Sequence, residues 1–330
     1  MSLKVENLHK SFGDNHVLRG LNFEAVPGKA FALLGRNGAG KTTTIRIIMD
    51  LFKADQGKIY WKNEAFNRSK VKVAYLPEER GLYEKEPILR QMIYIGELRD
   101  MSYREAKHAA ESWLAHFDMS KHANDKLEIL SKGNQQKIQL AVALMNDPEI
   151  IIFDEPFSGL DPVNAGLLKN IILDQIAKQK VVFFSSHQMS YVEDICEDLA
   201  LLYKGVISVQ GSIREIRRSF ERNDISIELR EGEYFLSAME NKQKLNELIK
   251  EGQIKTPIKE ISLAKEAAII SLENAEDRAQ LFKELADAKL LVDKFSVIEP
   301  NLEKIFIHYT GGEGLEMSEA EVRAEEVKDE

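Results

Sequence analysis

The octapeptide GRNGAGKT, Gly35 to Thr42, constrains this chain more than any other feature of it. It fits the spacing G-x-x-x-x-G-K-[ST] and lies between the short apolar run KAFALLG and the apolar-periodic segment TIRIIMDLF. A continuous apolar run suits a strand buried on both faces, and the periodic segment suits a helix. Strand, glycine loop and helix in that order make a cradle for phosphate. The glycines let backbone N–H groups curl round the anion, and the helix N-terminus offers its positive dipole end. Gly35, Asn37, Gly38, Gly40, Lys41, Thr42 and Thr43 are therefore candidate nucleotide-binding residues, with Lys41 directed at the β- and γ-phosphates and the Thr42 hydroxyl at Mg2+.

A second half-site follows in IIIFDEP, where an apolar strand would deliver Asp154 at its C-terminal end, the edge at which α/β sheets place ligands. Asp154 is the candidate Mg2+ holder through water. Glu155, next to it, is placed to orient or deprotonate an attacking water, as a catalytic base. The run VVFFSSH ends on His187, whose imidazole at the tip of a neighbouring strand can bond a γ-phosphate oxygen. Each also has a plain alternative: a pair of carboxylates ending a strand, or a structural histidine.

Around these motifs, LKVENLHKSFG and HVLRGLNFEAV alternate apolar and polar residues as half-buried antiparallel strands do, with FGDN as the turn. Apolar spacing near 3.6 in ILRQMIYIGELRDM and REAKHAAESWLAHFDM predicts a helical insertion over about 82–135. Past Phe220 the character changes. ISIEL and EYFLSAM alternate, NKQKLNELIKEG reads as a helix, IKEISLA and AAIISLE as strands, AEDRAQLFKELADAKL as a helix and VDKFSVI as a strand. From Glu233 that order is βαββαβ, a ferredoxin-like α+β module. The expected domains are thus 1–220, then 221–310, then a tail over 311–330 with eight acidic and two basic residues, expected to be disordered.

With 330 residues, 44% of them hydrophobic, a sizeable core can form. The net charge of −9 argues against a nucleic-acid binder that works by neutralising phosphates. The lone Cys196 excludes an intrachain disulfide and a multi-cysteine zinc site. With no apolar run near 18 residues, a soluble chain is expected.

In these motifs, taken in order over roughly the first 220 residues, the chain resembles the ATP-binding subunits of ABC transporters. The resemblance implies a P-loop NTPase core with an antiparallel β subdomain and the helical insertion. It also gives a role to LSKGNQQK, Leu130 to Lys137, which stands where the family carries its LSGGQ signature. Ser131, Gly133 and Asn134 would cap ATP held by the phosphate loop of a second subunit, although Ser131 is equally a good helix N-cap. By the same resemblance, Phe12 in KSFG would stack on adenine, and Ser158 to Asp161 would cross a dimer interface. Glu78 in YLPEERGLY stands where the family carries a Gln near Mg2+ and the membrane partner, with Arg80 as a nearby balancing charge. That departure, LSKGNQQK and the C-terminal module resemble the bacterial sodium-exporting and drug-exporting branch.

The expectation is an ATPase using ATP and Mg2+, a homodimer at the cytoplasmic face of the plasma membrane, driving export through a separate integral membrane permease and binding no nucleic acid. The alternative is a soluble ABC ATPase acting on ribosomes or DNA. Those proteins typically carry two cassettes or a long coiled coil, and this sequence has one cassette and no sustained heptads. A non-catalytic subunit is disfavoured by the presence of Lys41, Asp154, Glu155 and His187 together.

Overall fold

A computed structural model describes residues 2–78, 81–220, 222–264, 267–288 and 290–310. Arg80 and the acidic tail lie outside the described residues. The chain divides after Ile213 into two compact units, each with its own apolar core.

The first unit opens with a hairpin of β1 (Leu3–Phe12) and β2 (Asn15–Ala25), in which Phe12 pairs with Asn15 across the FGDN turn. Next come β3 (Ala30–Leu34), α1 (Lys41–Ile48), β4 (Gln56–Trp61), β5 (Glu64–Ala65) and β6 (Val73–Leu76). The helical insertion holds α2 (Ile88–Glu97), α3 (Tyr103–His116) and α4 (Lys132–Leu144). A capping box starts α3, with Ser102 and Glu105 satisfying each other's backbone N–H groups. The core resumes with β7 (Ile150–Asp154), α5 (Pro162–Ala177), β8 (Val181–Ser186), α6 (Met189–Ile195), β9 (Asp198–Tyr203) and β10 (Val206–Ser212).

β1, β2, β4 and β5 form one antiparallel sheet, and the other strands align as β10-β9-β3-β8-β7-β6. In that second sheet only the β9–β10 pair is antiparallel. Every residue of β3, β7 and β8 is buried, as their unbroken apolar runs require of central parallel strands. The register aligns Asp154 with Ser185 and Leu34 with Ser186, so the C-terminal ends of β3, β7 and β8 open at one edge. β9 and β10, written DLALLY and VISVQGS, were not anticipated from the sequence and complete this sheet.

The second unit contains α7 (Ile213–Ser219) from Arg214 on, then β11 (Asp224–Glu231), β12 (Tyr234–Phe235), α8 (Ala238–Lys250), β13 (Ile258–Ala264), β14 (Ala267–Leu272), α9 (Arg278–Asp287), β15 (Leu291–Val297) and α10 (Leu302–Thr310). Its main strands align antiparallel as β15-β11-β14-β13, which is the ferredoxin-like βαββαβ order. The first strand of that unit is ISIEL, not EYFLSAM. A capping box of Ser237 and Glu240 starts α8 at Ala238, which leaves only Tyr234 and Phe235 in strand form. The fully buried Asn241 holds the junction, accepting from Leu229 N at 2.8 Å and donating to Leu236 O at 3.0 Å. Ile225, Ile227 and Leu229 alternate into the core against Leu245 and Leu248 of α8 and Leu281 and Leu285 of α9.

Candidate nucleotide site

The loop from Gly35 to Gly40 joins β3 to α1 at the open sheet edge. Gly40, the N-cap of α1, has φ +113° and Gly38 has φ +81°, backbone that an L side chain would strain. A Cβ at Gly40 would also meet Leu18 Cδ2 at 2.6 Å, whereas the same addition at Gly38 meets open space. The loop thus presents bare backbone to a cavity of about 160 Å3 lined by Asn37, Gly38, Gly40, Lys41, Thr42 and Thr43, with Glu78 and Glu155 also on its wall. A larger hollow of about 700 Å3 beside Glu6, Glu24 and Asp198 has no such loop, so chemistry and not size assigns the site.

Lys41 is buried. Its ammonium donates to Gly35 O at 2.6 Å and lies 3.3 Å from Glu155 Oε1. That oxygen is buried without a hydrogen bond. Glu155 Oε2 accepts from His187 N at 3.2 Å and lies 2.9 Å from His187 Nδ1, while the His187 ring is half exposed. Glu155 itself has φ +48°, a backbone form that costs a non-glycine residue of order 1–3 kcal/mol and that here turns the carboxylate into the site.

Asp154 is 2% exposed and is gripped by two hydroxyls. Ser185 Oγ donates to Oδ1 at 2.5 Å and Tyr75 OH to Oδ2 at 3.2 Å. Burial, and then the adjacent Asp154 carboxylate, push the Tyr75 phenol up from its ordinary value. Among the described residues no three His, Cys, Asp or Glu side chains cluster as a self-sufficient metal cage. A hydroxyl at Thr42 and carboxylates at Asp154 and Glu78 are hard oxygen donors, the kind Mg2+ takes alongside substrate phosphates. A phosphate loop with bare backbone and a buried Lys41 suits a nucleotide in the same place.

Of the sequence candidates, Asn37, Gly38, Gly40, Lys41, Thr42, Thr43, Glu78 and Glu155 line this cavity, while Gly35 O accepts from Lys41, His187 flanks the Glu155 carboxylate and Asp154, at the end of β7, precedes Glu155. Phe12 does not line this cavity. It is 46% exposed at the tip of the β1–β2 hairpin, edge-on to Phe52 at 5.5 Å and 5.3 Å from Lys10 Nζ. Ser131, Gly133 and Asn134 do not line it either. Ser131 N-caps α4, its Oγ accepting from Asn134 N at 3.4 Å. Gly133 abuts Asn164, the residue that Asp161 holds at the start of α5. Gln136 Nε2 donates to Pro156 O at 2.7 Å, tying the signature helix to the loop after Glu155. Tyr75, Ser185, Gln136 and Asn164 carry no assigned role in the sequence reading. YLPEERGLY, SSH and LSKGNQQ contained three of them, but nothing local assigned them partners.

Comparison with known proteins gives the family. The family described as ABC transporter matches residues 18–158, and the C-terminal domain of the DrrA1-3-like ATP-binding proteins matches residues 211–310. The uncharacterized ABC transporter ATP-binding protein YhaQ of Bacillus subtilis is 38% identical over 94% of this chain and 98% of its own length. The linearmycin resistance ATP-binding protein LnrL of the same organism is 29% identical over the same two shares. A solved ATP-binding subunit of an ABC transporter superposes with a TM-score of 0.61 and 29% identity, covering 67% of this chain and 93% of that one.

Proposed function

This chain belongs to the family of ABC transporter ATP-binding proteins, and from that premise we propose that it works as a homodimer closing on two MgATP and drives export through a separate membrane permease. The observation that carries the reading is the separation of two half-sites. Lys41, Thr42 and Glu155 line one cavity, and Ser131 to Asn134 do not. A signature loop placed apart from its own phosphate loop is suited to a nucleotide held by a second copy. Bound Mg2+ would neutralise phosphate charge and polarise the γ-phosphoryl group. Within the chain, Lys41 would hold the β- and γ-phosphates, Thr42 and Asp154 would hold the metal, and Glu155 would take the proton of the attacking water with His187 steadying its carboxylate. Phe12, beside Lys10 and Phe52, would supply an aromatic surface for adenine.

Among the described residues no helix is long and apolar enough to cross a membrane. As an ATP-binding subunit acting on a separate permease, the chain would sit at the cytoplasmic face through that partner. The likeness to a linearmycin resistance protein supports a drug-like cargo over sodium. The likeness along nearly all of this chain to the ABC transporter ATP-binding protein YhaQ supports a permease over a ribosome or DNA partner.

Complementation between two defective copies tests the composite site. Lys41→Ala and Ser131→Arg chains, each inactive alone, should regain ATPase activity on mixing, because the mixed dimer holds one intact phosphate loop facing one intact signature. A cross-linked mixed dimer without regained activity would overturn the head-to-tail reading.

A further inference from the structure

Asp154 sits on β7, two residues beyond Ile152, which pairs in register with Tyr75 of β6. Side chains on a strand alternate, so Ile152 and Asp154 share a face. A tyrosine extended along the strand direction can span those two residues, and its hydroxyl reaches Asp154 Oδ2 at 3.2 Å. On the opposite flank Ser185 is in direct register with Asp154 and its hydroxyl bonds Oδ1. The carboxylate is thereby fixed from both neighbouring strands.

The two supports differ in what they are attached to. β8 is a central strand, buried along its whole length. Among the described residues β6 is the edge strand of the sheet, paired only with β7, and it runs directly into Pro77 and Glu78. Glu78 lies on the wall of the nucleotide cavity. The Tyr75 hydroxyl is thus the side-chain link between the segment entering the Glu78 loop and the aspartate at the heart of the site.

We propose that Tyr75 is a positioning residue for Asp154, setting its carboxylate for the metal of MgATP and passing displacement of the β6–Glu78 segment to it. The inference rests on the reading of Asp154 as a metal-holding residue. Loss of the hydroxyl leaves the ring packed and frees one carboxylate oxygen to rotate, so the cost falls on metal-dependent binding and not on the nucleotide alone. Because the hydroxyl acts on the metal only through the carboxylate it holds, the expected effect is that of an ordinary net hydrogen bond, roughly threefold to tenfold in affinity.

The test compares wild type, Tyr75→Phe and Asp154→Asn by calorimetric ATP titration in excess Mg2+ and in EDTA, with Mn2+ substituted for an electron paramagnetic resonance reading of the metal and thermal melts alongside. Tyr75→Phe should weaken ATP affinity threefold to tenfold in Mg2+, leave it within twofold in EDTA, and broaden the Mn2+ spectrum without lowering the Tm by more than a few degrees. Equal affinity to wild type in Mg2+, or an equal loss in Mg2+ and EDTA, would overturn the positioning role. If Asp154→Asn also failed to separate the two conditions, the metal assignment of Asp154 itself would fall.

Discussion

Lys41 Nζ and Glu155 Oε1 stand 3.3 Å apart, with their side chains 6% and 7% exposed. The cation assigned to the β- and γ-phosphates is thus balanced in this state by the carboxylate assigned to the attacking water. An entering nucleotide must take Lys41 from Glu155, and Glu155 must then turn to the water.

That exchange gives opposite signs for binding and turnover in Glu155→Gln. The neutral amide competes less for Lys41, so ATP affinity should be unchanged or tighter. The loss of the base should lower turnover by at least about 10²-fold. Radiolabelled ATP retention and steady-state hydrolysis measure the two, and wild-type turnover in the variant would remove Glu155 from the catalytic role.

Lys41→Ala acts at the earlier step. ATP affinity should fall at least about tenfold, because the charge meeting the phosphates is gone. The nucleotide-free protein should also lose on the order of 1–3 kcal/mol, less than the roughly 3–5 kcal/mol of a fully stripped buried pair, because His187 still flanks Glu155. Thermal melts should show part of that loss recovered in the double variant Lys41→Ala/Glu155→Gln. Unchanged nucleotide affinity would contradict the assignment.

The site was legible where its chemistry is contiguous in sequence. GRNGAGKT sets its own loop geometry, and Asp154 and Glu155 end a strand whose apolar run announces it. Tyr75 and Ser185 were not legible, because each meets Asp154 through strand register across 79 and 31 residues. Gln136 and Asn164 escaped because each meets a residue of another element, Pro156 in the loop after β7 and Gly133 on α4, through tertiary packing. The same split runs through the fold. β3, β7 and β8 were read from burial on both faces, while β9 and β10 went unread although they form the other flank of that sheet. EYFLSAM alternates like a strand, yet Ser237 and Glu240 satisfy the first backbone donors of a helix, and that local bonding outweighs the alternation.

Gly133 offers a test of packing against direct ligation. A Cβ there would lie 2.2 Å from Asn164 Nδ2, well inside contact. Alanine is otherwise favoured over glycine within a helix by about 1 kcal/mol, so a defect in Gly133→Ala must come from that contact or from nucleotide approach. If Asn164 is the obstacle, Gly133→Ala/Asn164→Ala should recover at least about tenfold of the lost ATPase activity. Failure to recover would assign Gly133 to backbone approach to phosphate.

The second unit has its own apolar cluster around Ile227, Leu245 and Leu281. A chain ending at Phe220 should therefore still bind ATP, measured by calorimetry on the soluble monodisperse fraction. Loss of binding in that folded fraction would mean that the C-terminal module completes the site.

Glu78 lies on the cavity wall with Lys41, Thr42 and Glu155, where the resemblance leads one to expect a neutral glutamine. Two unit charges about 4 Å apart interact by roughly 4 kcal/mol at an effective dielectric near 20, so an unbalanced carboxylate beside the phosphates would severely weaken binding. A positive partner must offset it. Mg2+ accepts carboxylate oxygen readily, which makes the metal the natural partner in the nucleotide-bound state. Glu78→Gln keeps an oxygen ligand and removes the charge. Less metal charge is then neutralised by protein, so the Mg2+ concentration for half-maximal activity should shift while intrinsic turnover stays within about tenfold of wild type. Because Glu78 follows β6 and stands at the loop assigned to the membrane partner, the effect should be larger in the complex with the permease than in the isolated chain. A Mg2+ titration of ATPase activity for both proteins, alone and in complex, measures this. If Glu78→Gln silenced the isolated chain as fully as Glu155→Gln, Glu78 would belong to the hydrolytic machinery itself.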